Sequence, residues 1–425
     1  MQFVVISIFF LLQIYYLGFI YYYSLISLWG FRLNKRKDFK PIKSFALVVA
    51  AHNESSVVGS IVDNLKKLNY PRELYDIYVI ADNCTDNTAS IARQAEAIVY
   101  ERFNDELRGK GYALKEFFEE YLFNLKKKYD AICIFDADNL VSKNFLLKMN
   151  NRLLERNKVI QGYLDTKNPD DSWITVSSAL AYWITSRAFQ LARENLGLCA
   201  ALGGTGFCVD YNTLKELGWN ALSLTEDLEF SMKCVLKGIT VHWEHEAKIY
   251  DEKPLTLKAS IRQRIRWMQG HWDCAYRYTT ALFRKAIKDR DIVALDAAFY
   301  LLQPSKVIAN LFVLVMLFLK ILFPEIWFSK IILPLWLLGI SLGINYIIPI
   351  LILIKEGVAL KYILGLIPCY FYGLTWFPVT VMGWIKRKEK QWVHTIHTRS
   401  LTIEEIQNRE GRDGGVDIEQ SCQSI

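Results

Sequence analysis

The sequence predicts an open, mostly parallel α/β sheet domain carried between membrane helices. Three observations predict it. The chain of 425 residues is 52% hydrophobic yet 22% charged, with a mean hydropathy of +0.12, too apolar for an ordinary soluble enzyme and too charged for a pure membrane bundle. Long apolar stretches lie toward both ends of the chain. Between them the hydrophobicity falls, and short apolar runs alternate with helical patterns as in βαβ units.

Residues 1–31 carry no charged side chain and exceed the roughly 20 residues that one spanning helix needs. They lack a basic leading segment and a small-residue cleavage site, so they read as an uncleaved transmembrane anchor. Arg32, Lys35, Arg36 and Lys37 then place the following domain in the cytoplasm. That domain spans 40–290. Strands are expected at 45–51, 77–81, 97–100 and 131–135, and helices at 55–68, 88–95 and 112–125, the first capped by Ser55. Stretches 173–196 and 257–283 mix aromatic residues with arginines at helical spacing. They read either as helices lying on the membrane surface or as core helices of the domain.

Two further transmembrane helices are expected within 301–354. The run 358–385 is broken by Pro368 and Pro378, and a full crossing there would put Lys386, Arg387, Lys388 and Lys390 outside, against the charge rule. Residues 358–400 are therefore expected to form an interfacial or re-entrant helix and a loop, giving three spans, with 401–425 a polar tail. Eight cysteines stand singly without a C-x-x-C pair, which argues against a zinc or disulfide framework. With a net charge of +7 spread along the chain, nucleic acid is not an expected partner.

Asp136 and Asp138 follow an apolar strand at i and i+2, so in extended backbone both carboxylates point to one side of the sheet edge. Such a pair can hold Mg²⁺ or Mn²⁺ against a diphosphate, at the carboxyl ends of strands where open α/β sheets bind ligands. His52 and Glu54 end the first strand in the same way, and Asp82 the second. Glu226 and Asp227 open a helical stretch, where they serve either as capping acids or as a base for a hydroxyl. Arg262, Gln263, Arg264, Arg266 and Trp267 suit a diphosphate and a sugar face, or an anionic lipid surface. Lys110 lies in a glycine-bounded basic loop without P-loop spacing. Gly203–Phe207 lacks dinucleotide-loop spacing and reads as a turn approaching a sugar or acceptor, or as a plain loop.

Taken in order, Ala51-His52-Asn53-Glu54, Asp82, Asp136-Ala137-Asp138, Thr225-Glu226-Asp227 and Gln263-Arg264-Ile265-Arg266-Trp267 resemble the processive family 2 membrane glycosyltransferases, the synthases of cellulose, chitin, hyaluronan and poly-N-acetylglucosamine type. The resemblance runs from about residue 44 to 400. It implies a GT-A fold, a UDP-sugar donor, Mg²⁺ or Mn²⁺, and inversion at the anomeric carbon. Carried over, Asp82, Asp136, Gln263 and Arg266 bind the nucleotide sugar, joined by Lys110 and by His52 and Glu54 at the same edge. Asp138 and Asp136 hold the metal, and Asp227, with Glu226 beside it, is the general base. Trp267 meets the acceptor, with Gly204 and Thr205, and Trp392 and Thr395 belong to a gating loop.

The implied activity is processive polymerisation of a UDP-sugar, UDP-glucose first and UDP-N-acetylglucosamine next, into an extracellular or capsular polysaccharide, coupled to export through the plasma membrane. The implied partners are the donor, the growing polysaccharide, the lipid bilayer and an additional export subunit or a homo-oligomer, because only one span precedes the domain. Two other readings stay open: transfer of a single sugar to a lipid carrier, and a non-catalytic membrane scaffold.

Overall fold

The computed structural model describes residues 2–221, 223–323, 335–389 and 401–406. The chain opens with the apolar helix α1 (Gln2–Ser27). Strands β1 (Phe45–Ala51), β2 (Tyr75–Asp82), β3 (Ile98–Arg102), β4 (Ala131–Asp136), β5 (Leu140–Val141), β6 (Val159–Thr166), β7 (Phe207–Asp210) and β8 (Val241–Asp251) form one sheet in the order 3-2-1-4-7-6-8-5. β1 is buried on both faces, Phe45, Leu47 and Val49 pointing one way and Ala46 and Val48 the other.

Helices α2 (Val58–Lys66), α3 (Thr88–Gln94) and α5 (Phe145–Leu154) cover the first face, while α4 (Lys110–Glu116) and α6 (Trp173–Thr185) pack on the second. α2 shows why: Val58, Ile61, Val62 and Leu65 recur at helical spacing and are fully buried, each worth about 1.5–3 kcal/mol of transfer free energy. Ser55 does not cap this helix; the first turn begins at Val57, and the Ser55 N–H instead donates to Asp86 at 3.2 Å. The second face is completed by α8 (Tyr211–Leu217), α9 (Glu226–Leu236), α10 (Leu257–Asp289) and α11 (Ile292–Leu301), while α7 (Ala192–Leu196) packs against α1.

The sheet is mixed. β3, β2, β1 and β4 run parallel, as expected, and so do β6 and β8, but β7 is antiparallel to both its neighbours and β5 to β8. This reversal matters for function: it brings the start of β7, paired as Phe207 with Ile134, to the edge where β4 ends, and Gly206 N–H donates to Ile134 O at 2.8 Å.

The remaining apolar helices are α12 (Gln303–Leu322), α13 (Leu335–Lys355), α14 (Leu360–Ile363), α15 (Leu366–Leu374) and α16 (Trp376–Ile385). Among the described residues, Ser7–Phe31, Gln303–Leu322 and Leu360–Ile385 are long and apolar enough to cross a membrane. The last stretch is segmented, and Pro368 and Pro378 each fall in the first turn of a segment, where a missing N–H is tolerated. It lies along α6 and α10: Tyr372 is within hydrogen-bond distance of Ser178 (3.3 Å) and Ser260 (3.1 Å), and Trp272 Nε1 donates to Thr380 O at 3.1 Å. Helix α1 is fastened to the sheet domain by a buried triad in which Arg193 donates to both oxygens of Asp296 (2.9 and 3.0 Å) and Tyr22 donates to Asp296 at 2.6 Å. Trp392 and Thr395 lie outside the described residues.

Candidate active site

Parallel register carries three strand ends to one edge. Ala51 pairs with Ala81 and Ala50 with Asp136, so His52, Asp82 and Asp136 emerge side by side. Asn53 and Asn83 adopt left-handed backbone (φ 54° and 51°), a conformation asparagine tolerates, and turn the chain sharply after β1 and β2. His52 Nδ1 lies 2.7 Å from the backbone oxygen of Asp82. Glu54 is buried, and its N–H donates to Thr88 at 2.8 Å. The Asp82 carboxylate accepts from the buried Arg102 at 2.7 Å, and Arg102 also donates to Glu116 at 2.8 Å. Burial raises the pKa of Asp82 even against this pairing.

Lys110, at the first position of α4, donates from its ammonium to the Asp136 carboxylate and, at 2.6 Å, to the carbonyl of Gly204. Burial opposes its charge, but the acids Asp136 and Glu226 outweigh that and raise its pKa. Gly204 has φ +82°, and a Cβ there would stand 3.5 Å from Asp227 Oδ2, so the loop before β7 meets the start of α9. Asp227 Oδ1 accepts the Leu228 N–H at 2.8 Å. Glu226 and Asp227 both titrate above the ordinary carboxylate range; burial is the main cause, and the charge of Asp227 pushes Glu226 up further. A poised, partly desolvated carboxylate beside a cationic ammonium is suited to taking a proton from a hydroxyl.

Thr205, expected at the acceptor, is instead buried under the D-x-D turn, its hydroxyl accepting the Asp136 N–H at 3.0 Å and bonding Asn139. It holds Asp136 rather than lining open space. Asp138 is buried, accepting from Asn139 Nδ2 at 3.3 Å and from the Glu252 N–H at 3.2 Å. Among the described residues no three His, Cys, Asp or Glu side chains stand together as a ready metal cage. Asp136 and Asp138 supply oxygen ligands alone, and the Asp136 side chain is 41% exposed. That donor set fits Mg²⁺ or Mn²⁺ shared with a diphosphate.

Helix α10 runs beside α9. Gln263, Arg266 and Trp267 are half-buried, and among the described residues no hydrogen bond or ion pair engages them. Their neighbour Arg264 behaves oppositely: it is fully buried, its guanidinium lies 4.0 Å from the Tyr372 ring and 4.9 Å from the Trp376 ring, and it couples the motif to α15 and α16. Gly270, one turn on, leaves no room for a Cβ against Thr225.

Residues 41–270 match the family described as Glycosyltransferase like family 2. The chain belongs to glycosyltransferase family 2. This family 2 glycosyltransferase is similar to a beta-monoglucosyldiacylglycerol synthase of Nostoc sp., 26% identical over 277 residues covering 62% of this chain and 57% of that one. It is similar also to a poly-beta-1,6-N-acetyl-D-glucosamine synthase of Staphylococcus aureus, 24% identical over 247 residues covering 56% of this chain and 58% of the other. The chain thus spans less than two thirds of the length of these curated relatives. A mannosyltransferase from Pyrobaculum calidifontis, solved in complex with GDP-Man and Mn²⁺, superposes with a TM-score of 0.56 at 16% identity over 91% of this chain and 99% of its own. The fold of this family 2 glycosyltransferase is GT-A, with a mixed sheet of eight strands.

Arg102, Asn139 and Glu229 escape a reading of the sequence alone. Arg102 carries one signal, since it stands at the end of β3 directly in register with Asp82. Asn139 adjoins the D-x-D, and Glu229 looks like one more acid in the first turn of α9.

Proposed function

We propose that this glycosyltransferase is a processive, inverting hexosyltransferase that extends a β-linked polysaccharide from a UDP-sugar, UDP-glucose favoured and UDP-N-acetylglucosamine next, and passes the product across the plasma membrane. One observation carries the reading: the half-buried Asp227 carboxylate stands at Gly204 and in the field of Lys110 and Asp136, while among the described residues no hydrogen bond or ion pair engages Gln263, Arg266 and Trp267 on the neighbouring helix. The base side is assembled, and the neighbouring helix carries groups suited to a diphosphate and a sugar.

In this reading the hydroxyl oxygen of the acceptor bonds to the anomeric carbon from the face opposite the diphosphate. The bond from that carbon to the diphosphate oxygen breaks, and Asp227 takes the hydroxyl proton. Lys110 and Arg266 receive the charge that develops on the departing nucleoside diphosphate. Asp82 and Asp136 bind the nucleotide, and Trp267 stacks against the terminal acceptor sugar. Asp136 and Asp138 would hold Mg²⁺ or Mn²⁺, which when bound adds positive charge at the leaving diphosphate. The catalytic domain faces the cytoplasm, and an export subunit or a second copy completes the path for the product.

A second reading is transfer of a single hexose to a membrane lipid, favoured by the likeness to a beta-monoglucosyldiacylglycerol synthase. The enzyme in nanodiscs, given Mg²⁺ or Mn²⁺ and each UDP-sugar in turn, distinguishes them by UDP release and product size. High-molecular-weight polymer from one donor, lost in Asp227→Asn, is the expected result. A mono-glycosylated lipid as sole product establishes the second reading, and transfer that survives Asp227→Asn removes Asp227 as the base.

A further inference from the structure

Glu229 lies on α9 two residues beyond Asp227, and its side chain is 3% exposed. Its Oε1 accepts from Arg277 Nη1 at 2.8 Å, from the Tyr278 hydroxyl at 2.9 Å and from Lys233 Nζ at 3.0 Å. Its Oε2 accepts the backbone N–H of Ser223 at 2.9 Å. Ser223 opens the turn that leads into Thr225–Asp227, and its hydroxyl donates to Thr225 O at 3.0 Å. One carboxylate therefore holds the beginning of that turn, the helix that follows it, and α10.

Arg277 stands ten residues beyond Trp267, about 15 Å along α10. It is steadied by a second bond to Asp273 at 2.6 Å. Between the motif and Arg277, Gly270 is pressed against Thr225. The seam between the base and the Arg266–Trp267 helix thus has a close backbone contact at one point and a charge-assisted bundle at the other. Burial alone would raise the pKa of Glu229, but hydrogen bonds from Arg277 and Lys233 outweigh it and hold it at about 2, so the carboxylate stays charged wherever the enzyme works.

We infer that Glu229 is a positioning residue that sets Asp227 against Arg266 and Trp267, so that base and acceptor hydroxyl meet the donor in line. It touches no reacting atom; it fixes the spacing between two elements that do. Effective alignment of this kind is steeply distance-dependent, and a misplacement of about 1 Å costs on the order of 100-fold in rate. The inference rests on the reading of Asp227 as the base.

The test compares full-length wild type, Glu229→Ala, Glu229→Gln, Arg277→Met and Asp227→Asn in nanodiscs. It measures the transfer kcat, the dissociation constant of UDP or GDP, whichever the wild type binds, and Tm. Glu229→Ala and Arg277→Met are expected to lower kcat roughly 30- to 100-fold with nucleotide affinity held within twofold. Glu229→Gln, whose one carbonyl oxygen can keep the bonds from Arg277 and Tyr278 but not also the one from Ser223, is expected to recover about threefold of that loss. Arg277→Met keeps Glu229 in place and serves if Glu229→Ala does not fold. Equal loss of kcat and nucleotide affinity, absence of rescue by Glu229→Gln, or unchanged kcat in either truncation overturns the inference. An active Asp227→Asn enzyme overturns instead the assignment of the base.

Discussion

Arg102 meets Asp82 at 2.7 Å across adjacent parallel strands, in the same register, with the arginine side chain only 1% exposed. A guanidinium shut in this way pins the carboxylate that the proposed function assigns to the nucleotide. Removing it in Arg102→Met leaves a buried acid unpaired and is expected to cost about 3 kcal/mol of stability. Burial already raises the pKa of Asp82, and loss of the arginine raises it further, so the acid can shed its charge by protonation. The destabilisation is therefore expected to be larger at pH 8 than at pH 5, read as the difference in Tm at the two values.

Lys110 joins Asp136 to the loop carrying Gly204, and Lys110→Met should break both contacts at once. The expected outcome is a loss of roughly 10- to 100-fold in kcat/KM for the sugar nucleotide. Lys110→Arg should restore little, because a planar fork does not fit where a compact ammonium reaches a carbonyl and a carboxylate together.

Glu226 and Asp227 titrate above the ordinary carboxylate value of about 4, chiefly through burial. A base must be deprotonated to act, so the acidic limb of the kcat profile should lie well above that value, and the rate should rise with pH through it. Glu226→Gln removes a neighbouring like charge and should move the limb down. The stability contribution has the opposite sign: a pair whose pKa values are raised on folding opposes the folded state above them, and this opposition fades as pH falls. A profile unchanged by Glu226→Gln would show that the two acids do not titrate as a pair.

Under the proposed function, chelation should abolish transfer, and added Mg²⁺ or Mn²⁺ should restore it. Asp138→Asn keeps one acceptor oxygen, enough for the bond from the Glu252 N–H though not also for that from Asn139, and loses the charge. It should raise the metal concentration needed for half-maximal rate by roughly tenfold or more. An Asp138→Asn enzyme with wild-type metal dependence would place the ion elsewhere.

Much of the sheet is legible in the sequence because β1, β2 and β4 are short, nearly continuous apolar runs, as strands covered on both faces require, and acids end two of them. The reversal of β7 is not, since Phe207–Asp210 is only four residues long and its direction is set by partners distant in the chain. Thr205 misleads for the same reason: beside glycines it reads as open loop, whereas antiparallel pairing folds it beneath Asp136. The Ser55 cap fails because Asp86, thirty-one residues on, engages its hydroxyl as well as its N–H. Local signals place the acids at the edge, and tertiary partners such as Arg102 and Glu229 are visible only once register and helix docking bring them in.

The triad of Tyr22, Asp296 and Arg193 has a consequence for how the molecule comes into being. Its members belong to the amino-terminal apolar helix, to α11 and to α7, and both the carboxylate and the guanidinium are buried. Neither charge tolerates burial without the other, and the tyrosine supplies a further donor. Docking of the first helix and closure of the sheet domain are therefore linked, and, under the proposed membrane placement, a lipid environment that favours the helix should also stabilise the strand edge that carries Asp82 and Asp136.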